Sequence, residues 1–306
     1  MTRLPFWHPA LERAQIWRTL LGFVLIMVIW FFGTFAILNL GARLMNRPLY
    51  QMASADDFAA AAVFFLTFAG FHIGLLVVLP LLHGRGYASL FGAAKRLNLR
   101  HFGLGTAVTL SLALALYALL ALEHLILPEG VSPEVTRVQA FAPWLTGLIP
   151  ALALILFQTF AEEAVFRGYL LQQLRARFAS VWIWGVLPSL AFGALHFDAF
   201  SFGYVNAAVY VLNATVMGTL AAIVTLRTGN LGAAAGLHFG NNAALTLIGI
   251  GGNLDGFSLW IVQMDLDGGY TTYSILAQTV AMALVFLIWW RWMSRHRPIA
   301  NGRERD

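Results

Sequence analysis

The sequence predicts an all-α fold, a polytopic transmembrane bundle of about eight helices. Three observations lead there. Of 306 residues, 59% are hydrophobic and only 11% charged, where a soluble domain carries about 25% charged residues. Apolar runs of roughly 20 residues, the length that crosses a bilayer, recur along the whole chain. Basic residues gather in alternate connections, as the positive-inside rule requires.

Taken in order, the expected spans are residues 16–40, 58–82, 102–122, 144–172, 181–196, 204–226, 231–250 and 273–292. Trp17 and Trp30 sit near interface depth in the first. The fifth is short and contains Pro188, and the seventh is rich in Gly and Ala, so these two are the weakest spans. Glu12 and Arg13 beside the first run, with no small-residue cleavage pattern, do not read as a removable signal peptide.

Loop charge gives the orientation. Arg3, Arg13 and Arg18 precede the first span; Arg85, Lys95, Arg96 and Arg100 follow the second; Arg175 and Arg177 follow the fourth; Arg227 follows the sixth. Arg291, Arg295, Arg297, Arg303 and Arg305 follow the eighth. Acidic residues occupy the alternate loops: Glu123, Glu129 and Glu134, then Asp198, then Asp255, Asp265 and Asp267. An even number of spans with both termini cytoplasmic fits all but the first loop, where Arg43 and Arg47 oppose Asp56 and Asp57. The expected location is an integral, multi-pass protein of a bacterial or archaeal inner membrane. The chain reads as one membrane domain, 1–306, with a motif-bearing core over 145–250 and a basic polar tail over 293–306. The connection 128–143, holding Pro and Glu, is long enough to cover the outer mouth of a site.

The net charge of +5 fits loops that orient helices and contact lipid, not a nucleic-acid partner. Cysteine is absent, which excludes disulfides, thiolate catalysis and cysteine-ligated zinc.

The polar residues inside the spans carry the chemistry. Charges at membrane depth are costly, usually face the protein interior, and mark function. Gln158-Thr159-Phe160-Ala161-Glu162-Glu163-Ala164-Val165-Phe166-Arg167-Gly168 closes the fourth apolar run. Glu163 and Arg167 are four apart, so they share a helix face and can pair; Glu162 is rotated by about 100° and left free. His196 ends the fifth span after Phe192. His238 and Asn242 share a face of the seventh. Gln158 and Asn241 are nearby polar residues without an assigned role. His72, Glu123 and His124 are expected to face other helices or an interface.

If these groups converge on one wet cavity, their desolvation cost falls. The inventory suits water activation: a carboxylate to take the proton, a histidine to orient the water, and a histidine and an amide to donate to an oxyanion. That describes hydrolysis of an acyl bond, foremost a peptide, with no serine or cysteine nucleophile. The metal question stays open. His-Glu-x-x-His is absent; His196 and His238 with Glu162 or Glu163 would supply a divalent metal such as zinc with an open position; a metal-free glutamate mechanism is equally consistent. Two other classes fit the same residues: a non-catalytic membrane scaffold or immunity-type protein, and a proton-coupled transporter. The two similar halves with broken helices that a transporter would favour are not found.

The motifs resemble a known family. Glu162-Glu163-Ala164-Val165-Phe166-Arg167 is similar to the Glu-Glu-x-x-x-Arg motif of the CPBP intramembrane proteases, also called the ABI family. That family includes type II CAAX prenyl proteases and bacteriocin-processing or self-immunity proteins. Phe192 to His196 resembles its Phe-x-x-x-His, and the stretch from Gly218 to Asn242 its third motif, ending His-x-x-x-Asn. The resemblance covers about 145–250. It implies an eight-helix membrane fold and peptide hydrolysis. It makes Glu162 the water-activating base, Glu163 its helper paired with Arg167, His196 the group that polarises the water, and His238 with Asn242 the support for the oxyanion or metal. The implied partners are a peptide or protein substrate, lipid-modified in some of the family, and membrane lipids. The resemblance also implies metal dependence, while a metal-free glutamate mechanism is argued for the same family.

Overall fold

The computed structural model describes residues 4–128, 130–252 and 254–295, the side chain of Arg295 excepted. Arg3, Glu129, Arg297, Arg303 and Arg305, with most of the basic tail, lie outside the described residues. Eleven α-helices are described: α1 (Ile16–Met45), α2 (Leu49–Ser54), α3 (Phe58–Leu66), α4 (Ala69–His83), α5 (Leu99–Ile126), α6 (Phe141–Glu163), α7 (Leu171–Arg177), α8 (Leu187–Ala194), α9 (Ala199–Thr228), α10 (Gly232–Ala244) and α11 (Gly269–Arg295). Among the described residues six helical stretches are long and apolar enough to cross a membrane: Ile16–Met45, Phe58–His83, Leu99–Ile126, Phe141–Arg177, Ala199–Thr228 and Gly269–Ser294. The chain is an integral membrane protein with a helical bundle fold. The fifth and seventh expected spans are the two short helices, α8 and α10, embedded among the long ones.

Two of the helical stretches are broken in ways that matter for the site. α6 does not run smoothly into α7. Ala164–Leu170 is a π-helical turn, closed by a bond from Leu171 N–H to Phe166 O. A second π turn, Trp182–Val186, leads into α8. Such turns insert one extra residue and often mark functional positions. Every residue of the first one is buried.

Small residues set how closely the helices approach, as expected where lipid removes the hydrophobic drive between them. The buried stripe of α1, Thr19, Gly22, Ile26 and Gly41, faces α3 and α4; a methyl on Gly70 would lie 2.6 Å from Trp30 Cα, and one on Gly74 3.0 Å from Ile26 Cα. α10 packs on α5 in the same way, with Gly105 against Ala233 O and Gly236 against Phe102 O. The outer faces, such as Phe31 and Phe32, are open to lipid. The main apolar cluster joins Ile26, Phe71, Leu75 and Leu79 to Val165, Phe166, Tyr169 and Phe192, and so backs directly onto the π turn.

Polar side chains lock the ends. Asp57 caps α3 by accepting from Ala59 N and Ala60 N and pairs with Arg47, so two of the four charges of the ambiguous first loop neutralise each other. Asn230 Oδ1 accepts from Asn98 N and Gly232 N, while its Nδ2 donates to Phe91 O and Arg96 O; it ties the 84–98 connection to the start of α10. The buried Glu123 accepts from Tyr270 and Tyr273 of α11, and His72 bonds Tyr87 and Phe157 O. One feature lies beyond the all-helical expectation. Residues of the 128–143 connection form β1 (Glu134–Arg137), antiparallel to β3 (Trp260–Gln263), which also pairs in parallel with β2 (Ile248–Ile250). Phe257, before β3, packs on Phe58 and Phe65, so the sheet is anchored at the α3 and α6 start of the bundle.

Candidate active site

α6 and α10 pack together and present matching pairs. Gln158 and Glu162, four apart on α6, face Asn242 and His238, four apart on α10. Asn242 Nδ2 donates to Gln158 Oε1 at 3.1 Å, and Gln158 Nε2 donates to Glu162 Oε2 at 2.7 Å. His238 Nε2 stands 3.5 Å from the same Glu162 oxygen. The pairing is antiparallel. Both glutamates, Gln158 and His238 are buried.

Glu163, one residue on, turns to a different set. Its Oε1 accepts from Arg167 Nη1 at 2.9 Å and contacts His238 Nδ1 at 2.9 Å. Because an ionised carboxylate only accepts, His238 donates from Nδ1 and leaves Nε2 toward Glu162. Glu163 Oε2 is buried without a partner. Arg167 is 2% exposed and lies 4.5 Å over the Phe192 ring, a cation–π contact strengthened by desolvation. Gly218 makes the room, since a methyl there would lie 2.6 Å from Arg167 Nη2.

His196 joins differently. Its Nδ1 bonds Phe192 O at 2.9 Å, which places the proton on Nδ1 and leaves Nε2 an acceptor. The Phe192 ring contacts His196 at 4.7 Å and His238 at 5.9 Å, and Tyr210 meets His196 at 5.6 Å. No described hydrogen bond joins His196 to either glutamate. The structure thus links Glu162, Glu163, Arg167, His238 and Asn242 in one network and sets His196 one ring away.

Residues 143–244 match the family model described as type II CAAX prenyl endopeptidase Rce1-like. The matched stretch holds every site residue just described, and the match agrees with the resemblance of the three motifs. A further similarity covers more of the chain: an uncharacterized protein, YyaK, of Bacillus subtilis (strain 168) is 23% identical over 258 residues, 79% of this chain and 81% of that protein. No solved structure matches.

Among the described residues no three His, Asp or Glu side chains are grouped to hold an ion. Arg167 and His238 Nδ1 both turn to Glu163 Oε1, and His196 Nδ1 turns to a carbonyl. Both Nδ1 bonds leave the Nε2 atoms of His196 and His238 turned outward, the arrangement a metal-ligating histidine uses. Gln158 has no role in the sequence reading; its four-residue spacing from Glu162 was the available signal. Tyr210, and Gln278 of α11, which donates to Asn241, carry no local signal at all.

Proposed function

We propose that the chain is an intramembrane endopeptidase that hydrolyses a peptide bond with a water activated by Glu162. The observation that supports this reading most is the division of labour between adjacent glutamates. Glu163 is neutralised by Arg167 and orients His238. Glu162 is held through Oε2 only; no described hydrogen bond from the chain reaches its Oε1. That oxygen takes a proton from water, and the hydroxide oxygen attacks the peptide carbonyl carbon. The developing oxyanion is supported by the Asn242 amide, such a donor being worth roughly 2.7–4 kcal/mol, while His238 holds Glu163 and flanks Glu162. Glu162 then returns the proton to the leaving amine as the C–N bond breaks. His196 Nε2 accepts from the same water and orients it.

The matched family's description points to C-terminal segments of lipid-modified proteins as one substrate class, reached laterally from the bilayer. Arg175 and Arg177 follow Glu162 on the same helical stretch, and the positive-inside rule puts that end on the cytoplasmic side, which supports a site opening toward that leaflet if both termini are cytoplasmic in a bacterial or archaeal inner membrane. The test compares membrane peptidomes from cells carrying the wild type and Glu162→Gln. Fragments that vanish with the variant, while the variant accumulates normally, support the reading; unchanged peptidomes and undiminished cleavage overturn it.

A further inference from the structure

The hydrogen bonds of the site do not stop at Asn242. Asn242 Oδ1 accepts from Asn241 Nδ2 at 3.1 Å, and Asn241 Oδ1 accepts from Gln278 Nε2 at 3.3 Å. Gln278 is on α11, in which no motif lies. Beyond it, Asn213 of α9 donates at 2.7 Å to Thr279 Oγ1 and lies 3.5 Å from Gln278 Oε1. From Gln278 inward the links measure 3.3, 3.1, 3.1 and 2.7 Å, ending on Glu162.

The sense of this row is forced. A carboxylate can only accept, so Gln158 must turn its N–H₂ to Glu162 and its carbonyl to Asn242. The same constraint passes to Asn242, Asn241 and Gln278. All four amide dipoles therefore point the same way. Such rows polarise one another in a low-dielectric interior, each donor strengthening the next. The shortest link is the charge-assisted one at the end, as expected.

We propose that Gln158, Asn241 and Gln278 are positioning residues: a one-way amide row that runs from α11 through α10 to Glu162 and fixes the direction of its carboxylate. The row rests on the proposed role of Glu162 for its consequence in catalysis, but its existence is a separate matter. It makes α11 a working part of a site whose motifs all lie between Glu162 and Asn242.

The test uses the full chain in detergent. The infrared carboxyl stretch of Glu162 is isolated as the band that Glu162→Gln removes. Gln158→Met and Gln278→Met keep side-chain length and delete the amide. Gln278→Met shifts the Glu162 band in the same direction as Gln158→Met, by a smaller amount, and the double variant shifts it no further than Gln158→Met alone. With the best-cleaved member of a fluorogenic peptide library as probe, Gln278→Met lowers kcat by about threefold to tenfold, the effect of one hydrogen bond, with KM unchanged. An unmoved band in folded Gln278→Met, or shifts that add in the double variant, overturns the row. Should Gln278→Met fail to accumulate, Asn241→Ser is read by the same criteria. A shifted band in a protein that cleaves no peptide keeps the row and removes the protease reading.

Discussion

Arg167 is an almost fully enclosed charge of the site. It is buried against Phe192, bonded to Glu163, and fitted over Gly218. Removing one partner of a buried pair leaves the other charge uncompensated, at about 3–5 kcal/mol. Arg167→Ala is expected to lower the thermal midpoint sharply and reduce accumulation; a variant as stable as the wild type would show that Glu163 is held by other means. Glu162→Gln, nearly isosteric and still within reach of Gln158, should leave stability unchanged while cleavage is lost, read by a melting curve beside the peptide assay. If zinc were required, chelation should abolish turnover and the purified protein should contain about one equivalent; turnover in metal-free protein would favour the glutamate-activated water alone. Metal analysis by mass spectrometry decides between them.

At the scale of the element, the placement of His238 depends on how α10 lies on α5. A methyl on Gly236 would collide with the backbone oxygen of Phe102, which no rotamer change can relieve. Overpacking typically costs about 1–3 kcal/mol, and the rigid neighbour puts Gly236→Ala near the upper figure. Activity should fall with stability, because α10 must tilt and carry His238 and Asn242 with it. The α3 cap gives a prediction in pH. Burial pushes the Asp57 carboxyl up, but the bonds from Ala60, Arg47 and Ala59 outweigh it and hold the group below the usual carboxylate range. A depressed native value means the cap's contribution is present above the unfolded value and is lost as pH falls through the folded one. Asp57→Ala should therefore cost about 0.5–2 kcal/mol near neutrality, and the gap between variant and wild-type melting curves should close in acid.

The whole molecule contains no cysteine, so single cysteines report topology cleanly. With both termini inside, Lys95→Cys should label with an impermeant maleimide only after the membrane is opened, and Glu134→Cys from the outside without opening. The reverse pattern would invert the orientation drawn from loop charge and with it the leaflet assigned to the site. Six long helical stretches, two short helices and a small sheet surround the motif residues. His238 lies on one short helix and His196 just past the end of the other, while Glu162 and Glu163 lie within a long one.

Much of this is legible in the sequence. Apolar run length locates every long span, because crossing hydrocarbon demands about 20 residues whatever the fold. Four-residue spacing announces the Glu163–Arg167 pair and puts His238 and Asn242 on one face, because helix periodicity is a local property. Spacing could not say that His238 would bridge both glutamates, that Phe192 would contact both histidines, or that Gln278 would reach the network. Those depend on the depth and rotation of one helix against another. Glycine contacts between α5 and α10 set the first, and the π turn at Ala164–Leu170 alters the second by one inserted residue. The sequence by itself determined which side chains must escape lipid, since burying a bare charge there is prohibitive; only the packed bundle decided which partner each one met.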